Sequence, residues 1–293
     1  MFRGMHRKTF LGALAIAGAA ALSLGLATPA DATHWRGGNI SWTQSGNQVS
    51  FDVTSYWRRS FFANQAVGQQ NVSHVFNFGD GNTDSSGHTI DAINVSNDWM
   101  KVTNSYTHTY ASSGTFTAYL QSCCRLSTMV NNSDGNFRIE TTMNVGDGSS
   151  SPNVGGSSPI FLVPDGGVQV FNPFTHTDPD GTAGTNFAFA SATQAGGGFT
   201  QPGSMTINST NGEVTWDTDA AGAAVGQLWS VSYMVTDSTG NTAPLDILLQ
   251  MCTEGSEGCG DFQDPDPVPE PATLGLLGLG LVGLTALRRR RRS

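Results

Sequence analysis

Carboxylates, cysteines, histidines and arginines are the side chains here that could do chemistry, and their spacing limits what that chemistry would be. Thr177-Asp178-Pro179-Asp180-Gly181 sets two carboxylates two residues apart at a turn. Calcium takes about six to eight oxygen ligands. Asp178 and Asp180 would therefore need further oxygens, with Asp237 the candidate to approach them in the fold; otherwise the stretch is a plain Asp-Pro-Asp-Gly turn. The four cysteines are Cys123, Cys124, Cys252 and Cys259. A bond between adjacent cysteines strains the peptide between them, so Cys123–Cys124 is the less expected pairing. Cys252 and Cys259 either close a short loop or each reach back to Cys123 or Cys124. Disulfides suit an oxidising compartment. Zinc would want CxxC-like spacing or a nearby histidine, and neither accompanies Cys252 and Cys259.

His108 stands beside Tyr110 and reads as a structural residue rather than a base or ligand. Trp57-Arg58-Arg59 is either a glycan-facing patch, since aromatics stack on sugar faces and arginine bonds hydroxyls, or a half-buried strand end. HExxH, GxSxG, a phosphate-binding loop and GxGxxG before a helix do not occur. Paired acids are present, but nothing in their spacing makes them converge as a glycosidase requires. The chain therefore reads as non-catalytic; the alternative is a secreted carbohydrate-active hydrolase that carries accessory β-modules.

The elements that would position these residues are strands. Ile40 and Trp42 fall on one face, as do Val49, Phe51 and Val53, with Ser50, Asp52 and Thr54 opposite. Gly46-Asn47 and Asp80-Gly81 are turn signals. Phe116, Ala118 and Leu120 would face a core. After the Gly/Ser stretch 146–158, read as a linker, further strands are expected at Ile160/Leu162, Val168/Val170, Met205/Ile207, Val214/Trp216, Val231/Tyr233/Val235 and Leu245/Ile247/Leu249. With 36 glycines and only 13% charged residues, the composition suits an all-β extracellular protein with many turns; the linker and the short strand spacing divide it into two tandem β-sandwich domains. The stretch 33–267 holds six of the 14 Lys+Arg and 21 of the 23 Asp+Glu, a charge of about −15. Such a surface repels nucleic acid and anionic lipid.

Both ends are apolar. Arg3, Arg7 and Lys8 precede the apolar run Phe10 to Leu26, and Ala30 and Ala32 supply the small residues of a cleavage site. Residues 1–32 thus read as a secretory signal peptide removed by signal peptidase. At the other end come Val268, Pro269, Glu270 and Pro271, an uncharged Gly/Leu run to Leu287, and then Arg288, Arg289, Arg290, Arg291 and Arg292. Only a helix satisfies such a backbone in lipid, and five arginines resist crossing it. The 16 residues Ala272 to Leu287 make a helix of roughly 24 Å, just short of a usual span.

The order Pro-Glu-Pro, Gly/Leu span, arginine cluster resembles the PEP-CTERM sorting signal of Gram-negative bacteria. That resemblance implies an exosortase-type processing enzyme as partner, with Val268, Pro269, Glu270 and Pro271 as the recognised motif and Arg288 to Arg292 as the stop. Phe78-Gly79-Asp80-Gly81, His108-Thr109-Tyr110, Gly114 and Phe116 resemble a PKD domain, although the insert 82–105 is long and Phe76 stands where a Trp is usual. Met205 to Trp216, with its Asn211-Gly212 turn, and Val231 to Gly240 resemble putative-Ig or cadherin-like modules, whose calcium loops Asp178 and Asp180 also resemble. The expected order is a signal peptide at 1–32, a PKD-like sandwich at 33–145, a linker at 146–158, an Ig- or cadherin-like sandwich at 159–251, an acidic spacer at 252–267 and the sorting signal with its membrane helix at 268–293. The function this implies is export through the inner membrane, anchoring by the tail, and adhesion at the cell surface or in the matrix, with exopolysaccharide or other surface proteins as partners.

Overall fold

The computed structural model describes residues 34–260 apart from 63, 71–73, 87, 156–157 and 182–184. The signal peptide with Ala30 and Ala32, the end of the acidic spacer from residue 261, and the whole sorting tail lie outside the described residues. All described residues fall in one compact unit, Thr33–Ser293.

The unit is built almost entirely of strands. In chain order they are β1 (Trp35–Ser45), β2 (Gln48–Arg58), β3 (Phe76–Asn77), β4 (Thr83–Asp84), β5 (Thr89–Asn94), β6 (Trp99–Thr109), β7 (Gly114–Cys123), β8 (Asn136–Val145), β9 (Asn153–Gly155), β10 (Ile160–Pro164), β11 (Val168–Phe171), β12 (Thr175–Thr177), β13 (Asn186–Phe189), β14 (Met205–Ile207), β15 (Val214–Asp217), β16 (Leu228–Thr236) and β17 (Thr242–Cys252). A 3-10 turn, Arg59–Phe61, follows β2, and two four-residue helices, α1 (Ala192–Ala195) and α2 (Thr218–Ala221), interrupt the second half.

One eight-stranded sheet runs β13-β16-β17-β1-β2-β6-β5, with β10 added on β17. A four-stranded sheet, β4-β3-β7-β8, supplies the rest of a first core: Trp35, Trp42, Phe51, Phe76, Tyr106, Leu120 and Phe137 belong to one buried cluster. Val49, Phe51, Val53, Ala118 and Leu120 all sit in it, and Phe116 packs against it, as their period-2 spacing predicts. A second cluster joins Val163, Trp216, Trp229, Tyr233, Leu245 and Ile247 from β10, β15, β16 and β17. The three-stranded sheet β11-β15-β14 contributes to it. In β11 it is Phe171 that turns inward, leaving Val168 and Val170 exposed.

Side chains of β17 line the second core, and its backbone joins the sheet of the first. Its Leu245 and Asp246 pair with Asn39 and Gly38 of β1, antiparallel, while Leu248 to Cys252 pair with β10, parallel. At this handover the β1 backbone comes so close that a Cβ on Gly37 would lie 2.2 Å from the Asp246 carbonyl oxygen. Gly37 also holds φ +140°, a conformation open to glycine. Within the stretch 146–158, expected as a linker, residues 146–155 lie along the body. Trp42 N donates to Ser151 Oγ at 2.8 Å, and β9 pairs with β12.

A buried charge pair ties the halves together. Arg125 follows β7 and is fully buried. Its guanidinium donates to Asp246 Oδ1 at 2.9 Å and Oδ2 at 2.5 Å, to Ser230 Oγ at 2.8 Å and to the Ala195 carbonyl at 2.9 Å. The same guanidinium lies 4.6 Å from the Phe199 ring centre, and Trp35 Nε1 donates to Asp246 Oδ1 at 3.2 Å. Such a pair keeps its charges inside only because nearly every donor and acceptor is met.

Candidate binding surface

A corner of the first half gathers charge and an exposed aromatic ring. Successive strand side chains face opposite sides, and Trp57 takes the inward one. It is 1% exposed and meets Trp35 and Phe137 edge-on at 5.1 and 5.6 Å. Tyr56 and Arg58 take the other side of the sheet, paired with Lys101 and Trp99 of β6; Tyr56 and Trp99 are buried there edge-on at 5.6 Å, and Arg58 is the half-exposed member. The chain then turns through Arg59–Phe61, placing Phe61 at 47% exposure. The Phe61 ring is stacked on His34 with centroids 3.4 Å apart and meets Phe62 edge-on at 4.9 Å.

Asp98, in the turn between β5 and β6, closes this corner. Its carboxylate accepts from Ser60 N at 2.6 Å and Ser60 Oγ at 2.8 Å. Two arginines approach it less closely: Arg36 Nη2 at 3.4 Å, from the bulge between Trp35 and Gly37, and Arg58 Nε at 3.5 Å. Burial raises the Asp98 pKa, but the Ser60 hydrogen bonds and the charges of Arg36 and Arg58 outweigh it, so the carboxyl lies below its ordinary value. Burial draws the Arg36 pKa down; Asp98 opposes this and the Arg58 charge reinforces it. The Nε atoms of Arg36 and Arg59 and the Trp99 indole nitrogen are buried without hydrogen-bond partners. This corner can offer guanidinium groups to an anion and a ring to an apolar face.

The other residues predicted from sequence take different places. His108 hydrogen-bonds Asp80 at 2.7 Å and stacks on Phe78 at 4.3 Å, while Tyr110 Oη donates to the Phe78 carbonyl at 2.7 Å. The Phe78–Gly81 and His108–Tyr110 motifs thus clasp each other across 28 residues. Asp180 accepts from Ser150 N at 2.5 Å, and its own N–H donates to Asp178 at 3.0 Å. Asp237 is buried and accepts from Thr239 and Asn241 of its own turn. Their neighbours Ser149 and Ser150 bring these turns toward one corner, because Asn241 Nδ2 donates to Ser149 Oγ at 2.6 Å. Among the described residues, however, no group of three His, Cys, Asp or Glu side chains could hold a metal ion. Cys252 pairs with Cys259. Cys123 pairs with Cys124, across a cis peptide. The adjacent pair is thus bonded where the longer reach to Cys252 or Cys259 stood open.

Within Trp57-Arg58-Arg59, the tryptophan is core and the arginines are half-buried. Phe61, Arg36 and Asp98 were not singled out. Alternation alone would put Phe61 on the inward side with Val53, Ser55 and Trp57; it faces out because β2 ends at Arg58 and the chain enters a 3-10 turn. Nothing local marks Asp98, which lies 62 residues from Arg36.

Comparison with known proteins places two segments. Residues 36–146 match the family described as "Integrin beta-like protein A-E, N-terminal", and residues 267–292 match the PEP-CTERM protein-sorting motif. Integrin beta-like protein B of Dictyostelium discoideum is 29% identical to this chain over 238 residues. Integrin beta-like proteins A and C of the same organism are 27% and 28% identical over 247 and 245 residues. Each alignment covers 76% of this chain and 12% of the relative, so the chain spans about an eighth of the length of these proteins. The chain carries a PEP-CTERM sorting motif and an integrin beta-like N-terminal domain. The motifs that resemble a PKD domain lie inside residues 36–146, as does the whole Arg36–Asp98 corner.

Proposed function

We propose that this is an exported cell-surface or extracellular-matrix protein with a non-catalytic adhesive role, delivered by its tail and binding through its β-body. The observation that carries this reading is the pairing in one chain of a sorting motif at 267–292 with an integrin beta-like domain at 36–146. The first supplies an address and the second a body whose relatives are named for a class of adhesion protein. In this reading an exosortase-type enzyme recognises Pro269, Glu270 and Pro271, and the setting is a Gram-negative bacterium. The body comprises a PKD-like and an Ig-like β-module. Exopolysaccharide and other surface proteins are the partners.

The test is retention of the purified full chain, in detergent micelles, on three layers: matrix from the native host, intact host cells, and immobilised copies of itself. At least one layer is expected to hold it well above an albumin control. No retention on any of them would remove the adhesive reading.

A further inference from the structure

We propose that the corner formed by Arg36, Arg58, Arg59 and Phe61 is a binding site for an anionic sugar, one that carries a carboxylate or sulfate on the ring. This rests on the adhesive reading above and names the ligand class of its binding surface.

The first observation is how charge is distributed. Of the six cations in the stretch 33–267, Arg36, Arg58, Arg59 and Lys101 belong to this one corner, although the stretch as a whole carries about −15. Arg58 and Lys101 lie on the same side of the sheet, half-exposed at the edge of the buried Tyr56–Trp99 pair. Asp98 is the carboxylate in ion-pair contact with this group, and its short hydrogen bonds go to Ser60, leaving 3.4 and 3.5 Å for Arg36 and Arg58. Two guanidiniums, those of Arg36 and Arg58, thus share one carboxylate, with Arg59 adjoining in the chain. Arg36 is the costliest of them, because its side chain is only 9% exposed and its Nε has no partner. Bringing a buried cation beside a second cation is unfavourable unless an anion offsets it. Arg58, at 42% side-chain exposure, presents the guanidinium that solvent can reach. Its planar donors suit the paired oxygens of a carboxylate or sulfate.

The second observation is Phe61. An exposed ring whose other face is backed by His34 is rigid and flat. It costs little conformational entropy to use, and it suits the C–H face of a sugar rather than a bare inorganic anion.

The body's overall negative charge shapes the choice further. At physiological ionic strength, charges beyond about 8 Å are largely screened. The corner therefore attracts an isolated anionic group, while a dense polyanion spread over the body meets the other acids. A glycan with one anionic group every few sugars fits; duplex DNA does not.

The test measures binding of the full chain in detergent micelles to hyaluronan oligosaccharides, with sulfated chondroitin, neutral dextran and duplex DNA as comparisons. At least tenfold tighter binding to hyaluronan or chondroitin sulfate than to dextran and DNA is expected, and the preferred arm identifies the anionic group. Arg58→Gln and Phe61→Ala, both at exposed positions, should each weaken that binding about tenfold without moving the thermal midpoint. Arg138→Gln, which removes a cation outside the corner, should leave it unchanged. Equal binding to dextran or to DNA would overturn the site, as would an equal loss in Arg138→Gln or no loss in Arg58→Gln. If the Arg58→Gln chain is still retained on host matrix like the parent, the sugar site fails and the adhesive reading stands. If the hyaluronan preference holds while no host layer retains the chain, the site stands and the adhesive reading fails.

Discussion

Replacing Arg125 with alanine should lower the free energy of unfolding by about 3–5 kcal/mol, because it leaves the Asp246 carboxylate charged, buried and without its main partner. Both side chains have zero exposure. After the substitution Asp246 keeps Trp35 Nε1 at 3.2 Å, which does not replace two guanidinium hydrogen bonds. Ser230 Oγ and the Ala195 carbonyl also lose a donor, and the space beside Phe199 is emptied. The effect reaches both cores, since Arg125 follows a strand of the first and Asp246 lies in β17, at the point where β1 hands over to β10. Urea unfolding followed by tryptophan fluorescence reads this directly. The double change Arg125→Met with Asp246→Leu should cost much less than the sum of its parts, because removing both charges also removes the desolvation penalty. A loss below about 1 kcal/mol for Arg125→Ala would mean the pair is not closed as described.

Acid should weaken the fold well above the range in which carboxylates titrate. His74 stacks on Trp57 with ring centres 4.2 Å apart and lies near His88, at 5.9 Å. Its Nε2 is buried without a hydrogen bond. Burial, then the neighbouring His88 and His34, push its pKa down to about 4 from an ordinary 6.5. His88 is lowered as well, chiefly by burial. The folded state therefore binds fewer protons than the unfolded chain between these two values. Stability is complete above about pH 6.5, falls as the pH drops toward 4, and levels off below it. A shift of about 2.5 units corresponds to at most about 3 kcal/mol. Unfolding free energies in urea from pH 8 to pH 4 should show this slope, and His74→Phe, which keeps a ring against Trp57, should flatten most of it. A parent protein equally stable at pH 7 and pH 4.5 would contradict it.

The strands were legible because period-2 alternation is a local signal. Val49, Phe51 and Val53 pointed to a core, and they line it. The Phe78–Gly81 and His108–Tyr110 motifs were legible as structural for a similar reason: a turn needs glycine at a particular conformation, and an aromatic needs a surface. What could not be read was pairing across long separations. Arg125 and Asp246 stand 121 residues apart, and neither carries a local mark of its partner. The division of the β17 edge between β1 and β10 depends on the close approach at Gly37, which looks in sequence like any Gly-Gly pair. The binding corner was half visible. Trp57-Arg58-Arg59 announced an aromatic next to cations, but the ring that faces out is Phe61, and Asp98 is brought in by a separate hairpin. The Cys123–Cys124 bond ran against the strain that made it the less expected pairing.

Delivery to the surface rests on the tail, and the mass of the C-terminal peptide of the mature protein, recovered from the matrix and membrane fractions of its native host, decides it. A sorting signal predicts a chain in the surface fraction that ends near Pro269 to Ala272, with the apolar run and the arginines gone. A chain still carrying Arg288 to Ser293 and confined to the inner membrane would make the tail a plain anchor and leave the β-body facing the periplasm, with no matrix to hold.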